Sequence, residues 1–103
     1  MRGVSEATHA TMAPFRMDGS RADQQRQGLH EIVVPGVRRH PGFVSGTWMV
    51  DREATTSLAV ITFTSREAAA SFQGDVRGNA ANQAAAGVEL VDIRLLEVEA
   101  SAP

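Results

Sequence analysis

Residues 40–64 constrain this chain more tightly than any other stretch: HPGFVSGTWMVDREATTSLAVITFT. Pro41-Gly42 marks a turn, because proline fixes φ and glycine tolerates positive φ. Phe43 to Val50 and Leu58 to Phe63 are rich in aromatic and β-branched residues, as strands are. The polar Asp51-Arg52-Glu53-Ala54 between them suits a hairpin connection. A chain with such a hairpin at its middle must build its sheet around it.

Upstream, Met1 to Ser5 has no periodicity and is expected to fray. Glu6 to Ala13 alternates, with Thr8, Ala10 and Met12 on one face and His9, Thr11 and Ala13 on the other. Period two predicts a first strand, ended by Pro14, which has no N–H for a ladder. Ser20 is the expected N-cap of a helix, with Asp23 in its first turn. Leu29, Ile32, Val33 and Val37 form one apolar stripe. Helix is expected over Ser20 to Val34, with a distorted turn toward Arg39. Pro35 falls inside it and should kink it near Glu31 or end it.

Downstream of the hairpin, Thr64-Ser65-Arg66-Glu67 predicts a capped second helix that buries Ala68, Ala69, Phe72 and Val76. A short helix over Asn79 to Ala86 should stop at Gly87 as its C′ glycine. Val88 to Val98 then alternates as the last strand. Val91, Ile93 and Leu95 fall on one face, and Leu90, Asp92, Arg94, Leu96 and Val98 on the other. Glu99 to Pro103 is a tail.

The order is β-α-β-β-α-β, an α+β, ferredoxin-like arrangement with a four-stranded antiparallel sheet. The chain, 103 residues long, is expected to be one domain with its ordered core over about 6–99. Helices can cover only one face of the sheet, yet both faces of the last strand carry apolar residues. The uncovered face must pack against something, and a second copy is the simplest cover. A sheet-to-sheet homodimer is expected.

Composition excludes several function classes. The net charge of −2 argues against a nucleic-acid partner, which wants a clustered basic excess. All ten basic residues are arginine, which reads as codon bias from a high-GC genome. The chain has no cysteine, so thiolate nucleophiles and thiolate metal sites are out. No apolar run has membrane-spanning length, and Met1-Arg2-Gly3 leads into no signal-peptide core. No membrane association is expected, and the cytoplasm is the expected location.

VVPGVRRHPGF, FTSREAAASF and the terminal GVELVDIRLLEV together resemble the antibiotic-biosynthesis-monooxygenase-like domains of the dimeric α+β barrel superfamily. The resemblance spans about residues 6–99, and its motifs are structural. It implies a pocket between sheet and helices within each protomer. Members include cofactor-free monooxygenases on aromatic polyketides, haem-degrading enzymes and proteins with no assigned activity. Haem-degrading relatives draw a histidine from the second helix. Ser65 to Val76 contains none, which argues against haem cleavage.

Five residues are candidates for a site. Trp48, the only tryptophan, shares a face by alternation with Val44, Gly46 and Val50. It is either a pocket wall or an anchor of the core or dimer interface. His9 on the first strand is either a proton acceptor for a phenol-like substrate or a histidine bonded to sheet or solvent. Asp92 and Arg94, two apart on one strand, share a face. They would anchor a substrate carbonyl or carboxylate, with Arg94 as the anion anchor, or else form an ion pair at the dimer contact. Phe43, opening its strand, joins Trp48 and Asp92 as a candidate substrate contact. His30 and His40 are expected at the surface. No H-x-x-x-H or H-E-x-x-H occurs, so no metal is expected, nor any other cofactor. Nucleophile-elbow and phosphate-loop motifs are absent too. The expected function is binding of a small, apolar or aromatic molecule, with cofactor-independent monooxygenation as the activity. The alternative is a non-catalytic dimerising or ligand-binding module.

Overall fold

The central hairpin folds as expected. In the computed structural model, which describes residues 6–102, β2 spans Phe43–Asp51 and β3 spans Thr56–Phe63. The expected frayed start, Met1 to Ser5, lies outside the described residues. β1 (His9–Met17) runs antiparallel to β3, and β4 (Val88–Leu90) and β5 (Arg94–Glu97) both pair with the other edge of β1. The spatial order is β2-β3-β1-β4, with β5 beside β1. This is the ferredoxin-like order, with the last strand broken in two.

β1 starts and ends later than the sequence suggests, and it passes straight through Pro14. The Val91 N–H donates to the Pro14 carbonyl at 2.9 Å. An antiparallel residue aims its N–H and C=O the same way, so the missing N–H faces the gap between β4 and β5. No ladder bond is lost there, and the proline costs nothing.

The helical run after β1 comprises a 3-10 turn (Gly19–Arg21), α1 (Ala22–Gly28), a π turn (Leu29–Val33) and α2 (Val34–Arg38). Its cap is Asp18 rather than Ser20: the Asp18 carboxylate accepts from the Ser20 backbone N–H at 3.0 Å and from its hydroxyl at 2.7 Å. These two bonds hold the Asp18 carboxyl below its ordinary pKa. The expected distortion before Pro35 is the π turn, where Val34 N–H reaches back to the Leu29 carbonyl. A proline ring clashes with the carbonyl four residues back, here Glu31, and the widened turn contains that residue. None of the residues in this run is buried, and Ile32 of the expected stripe is 73% exposed.

α3 (Arg66–Gly78) starts as expected, with the Ser65 hydroxyl accepting from Ala68 N–H at 3.1 Å. Its Ala69 and Phe72 are buried against Ala13, Phe15, Ala59, Ile61, Phe63 and Ile93. Thr11, 1% exposed, settles its hydroxyl on the Ala69 carbonyl at 3.0 Å. α4 (Ala80–Ala85) follows, and Gly87 takes φ +83° beyond it.

The opposite sheet face carries no helix. In register across it lie Met49, Leu58 and Pro14, then Thr47, Val60, Met12 and Arg94, then Ala10 and Leu96. Met49 and Leu96 are 47% and 41% exposed, so this face is apolar and open.

Gly42 carries the turn into β2 with φ +82°, and a Cβ there would lie 2.6 Å from Ala68 Cβ and 3.2 Å from Thr64 Oγ1. Gly42→Val should therefore destabilise by about 2–4 kcal/mol, from the left-handed backbone and the overpacking together. The expected fall in Tm is about 10 °C or more in a domain this size. A variant that melts with the parent would show that the turn is not strained.

Candidate functional site

Trp48 registers with Ala59 and so faces the helices. Its indole lies back along β2 over Gly46. A Cβ on Gly46 would sit 2.9 Å from Trp48 Cη2, 3.0 Å from Cζ3 and 2.9 Å from Ile61 Cδ1. The missing side chain is the seat of the ring. Val50, on the same face, is 44% exposed. Over this part of the sheet the covering run has no buried residue, although Val37 packs against the core. An apolar shelf with a half-buried indole is the result.

Phe43 joins the same face by a route that alternation hides. It pairs with Phe63 while Ser45 pairs with Thr62, so β2 carries one extra residue between them. The bulge puts Val44 out of step and turns Phe43 toward the core with Trp48.

His9 also faces the helices, in register with Phe63 on one side and Glu97 on the other. It lies at the far end of the sheet. Trp48 aligns with Ala13 through Ala59, four residues and two strand spacings away, roughly 15 Å between backbones. The indole leans toward Gly46, that is, toward the His9 end. His9 Nδ1 is 2.9 Å from the Thr8 hydroxyl, which donates to the Thr64 carbonyl at 3.1 Å.

His30 is exposed, but His40 is not at the surface as expected: its side chain is only 12% exposed. The ring meets Phe63 and Phe72 edge-on, at centroid distances of 5.6 and 5.5 Å. Nε2 stands 3.2 Å from Asp75 Oδ2, and Nδ1 is 3.0 Å from the Pro41 carbonyl. Both partners only accept, so the neutral ring donates to one of them at a time; His40 stands between the Pro41-Gly42 turn and α3. No local pattern marks it, because its partners come from β3 and α3.

Asp92 and Arg94 do not pair on one face of the cleft. β4 and β5 differ in register by one residue, since Phe15 meets Leu90 while Met12 meets Arg94. The step falls over residues 91–93, where the Asp92 carboxylate accepts from its neighbour's N–H, that of Ile93, at 2.8 Å. Asp92 is thereby used locally. The step also moves Leu90 to the helix side and leaves Val91 52% exposed. Arg94 lies on the open sheet face with Met12, opposite the side that carries Trp48 and His9.

Two shallow surface openings, of about 350 and 360 Å³, lie along residues 19–24 and between Arg16–Asp18 and the turn at Gly87. Neither is lined by Trp48 or His9. Among the described residues, no group of three His, Asp or Glu side chains is placed to hold a metal, and no helix is long and apolar enough to cross a membrane.

The architecture is thus an α+β, ferredoxin-like sheet with helices on one face and an aromatic shelf between the layers. No family model matches the sequence, and no curated protein matches it. Solved structures do. The chain is similar to HapK from Hahella chejuensis, with 18% identity, a TM-score of 0.69 and coverage of 92% of this chain and 96% of that one. It is similar to a monooxygenase from Streptomyces coelicolor, from the gene ActVA-Orf6 and in complex with Nanaomycin D, with 15% identity, a TM-score of 0.67 and 94% and 92% coverage. SnoaB, a cofactor-independent oxygenase from Streptomyces nogalater, is similar at 18% identity, a TM-score of 0.65 and 95% and 99% coverage. The chain has the fold of these proteins, the one its sequence motifs resemble.

Proposed function

We propose that this chain is a single-domain, homodimeric, cofactor-independent monooxygenase of the cytoplasm acting on a planar aromatic, polyketide-like substrate. The observation that carries this reading is the half-buried Trp48 indole, seated over Gly46 beneath a helical run none of whose own residues is buried. A flat ring gains both burial and stacking on such a surface. The likeness in fold to a cofactor-independent oxygenase supports the reaction class.

The reaction needs a substrate CH₂ made acidic by flanking carbonyl or aryl groups. A base takes one proton, and the carbanion gives an electron to O₂. The radical pair joins as a hydroperoxide, and loss of water leaves a ketone. CH₂ and O₂ become C=O and H₂O, so no outside reductant is needed. We assign the base to His9 and the ring contacts to Trp48 and Phe43, for a substrate long enough to reach from the indole to the imidazole.

A second reading, a non-catalytic binding or dimerising module, is favoured by the separation of Trp48 from His9 and by openings that reach neither. Titration with a panel of flat aromatic compounds, naphthols and naphthoquinones among them, decides the matter. Quenching of the Trp48 fluorescence is expected, since no other tryptophan contributes. Ligand at a hundred times its Kd should add about 2.7 kcal/mol of stability. A panel that neither quenches nor shifts the melt would remove the enzyme reading.

A further inference from the structure

One hydrogen decides how His9 presents itself. The Thr8 hydroxyl stands between two groups: the Thr64 carbonyl at 3.1 Å and His9 Nδ1 at 2.9 Å. A carbonyl oxygen can only accept, so the two contacts are hydrogen bonds together only when the single hydroxyl hydrogen goes to Thr64. The remaining contact closes only if Nδ1 carries a hydrogen and donates it to Thr8 Oγ1. A neutral imidazole with Nδ1–H has its lone pair on Nε2.

We propose that Thr8 is a positioning residue that holds His9 as the Nδ1–H tautomer, leaving Nε2 as the basic nitrogen. The anchor behind it is firm. Thr64 immediately precedes the Ser65 cap of α3, and its own N–H donates to the Gly42 carbonyl at 2.9 Å. Thr8 is likewise tied to both neighbouring strands: its N–H donates to Phe63, and its carbonyl accepts from Val98. Donor and acceptor therefore sit on a fixed frame, and the chain Nδ1–H to Oγ1, O–H to Thr64 runs in one direction. Glu97 is the charged group opposite His9 in register. Among the described residues no ion pair joins the two. The logic is that of an acid–base dyad oriented by a third group, with a hydroxyl in place of a carboxylate.

The tautomer is a property of the resting protein, whereas its catalytic consequence rests on the proposed role of His9 as base. The test separates the two. Long-range proton–nitrogen correlation spectra of the protein labelled at its three histidines, with the His9 signals assigned by their loss in His9→Gln, read the tautomer directly. At a pH where the ring is neutral, the parent should show Nδ1–H at His9. Thr8→Val, which keeps the shape and removes the acceptor, should lower the ratio of Nδ1–H to Nε2–H by about 2- to 10-fold, the worth of one net hydrogen bond. Thr8→Ser should restore it. Oxygen uptake with an enolisable aryl ketone that quenches Trp48 should fall in kcat in proportion to the lost fraction of Nδ1–H tautomer, with KM unchanged. A parent with Nε2–H at His9, or a ratio indifferent to Thr8→Val, overturns the inference without any variant needing to be active. A ratio that moves while uptake does not would leave Thr8 its positioning role and take the base away from His9.

Discussion

Val60→Arg is expected to turn a micromolar dimer into a monomer, with the mass in sedimentation equilibrium falling from twice 11.0 kDa to 11.0 kDa. Val60 sits in the middle of the open sheet face, in register with Thr47 on one side and Met12 on the other. Leu58, Met49 and Pro14 flank it in the next row, and Leu96 and Ala10 in the row beyond. If two such faces pack together, a two-fold axis brings each substituted residue in twice. An unpaired charge buried at such a contact costs about 3–5 kcal/mol, a rise in Kd of about 10²- to 10³-fold or more. Leu96→Arg, nearer the rim, should do less. Ile32→Arg, in the helical layer and already 73% exposed, should leave the mass unchanged. A parent that sediments as a monomer at tens of micromolar would sink the dimer, and an unchanged Kd in Val60→Arg would move the interface to another surface.

The sheet was readable because its central hairpin concentrates β-branched residues between clear punctuation, and because Glu6 to Ala13 alternates, if weakly, with period two. Most of what could not be read has a common cause. Register steps leave no trace in composition. VELVDIRLLEV offers apolar residues in both frames, so a slip of one residue at Asp92 buries Leu90 in place of Val91 and still satisfies the core. That slip puts Leu90 on the helix side and leaves Arg94 on the open face, so the two do not share a face as strict alternation has them. The bulge at Val44 does the opposite for Phe43, returning it to the face that strict alternation denied it. Pro14 misled because a proline is read as the end of a strand unless the neighbouring edge is known to be broken there. His40 was invisible for a different reason: its burial depends on Phe63, Phe72 and Asp75, brought to it by the fold and not by spacing. Trp48 was the candidate most open to sequence reading, since a wide ring two residues from a glycine on one strand face has an obvious place to lie.

His9→Ala is expected to bind flat aromatic ligands with nearly the parent's affinity and to lose oxygen uptake by about 10²- to 10⁴-fold, the span that a positioned base contributes. The reason for the split is where each residue acts. Stacking on Trp48 is present before and during the reaction, so it sets affinity. Proton removal from the substrate carbon is felt only on the way to the transition state, so losing it lowers kcat and leaves KM nearly untouched. Trp48→Leu should show the reverse, with weaker binding and, at saturating substrate, a smaller loss of rate. Added imidazole should recover part of the His9→Ala rate, because truncation to alanine leaves room where the ring stood and a free base can enter it. Uptake that persists in His9→Ala at the parent's rate would keep the oxygenase and strike His9 from it. The remaining histidine at this end of the sheet, His40, has an acceptor oxygen beside each nitrogen, one from Asp75 and one from the Pro41 carbonyl. Its neutral ring donates to only one of the two, and were it to serve instead, Asp75→Asn would lower the rate where it otherwise should not.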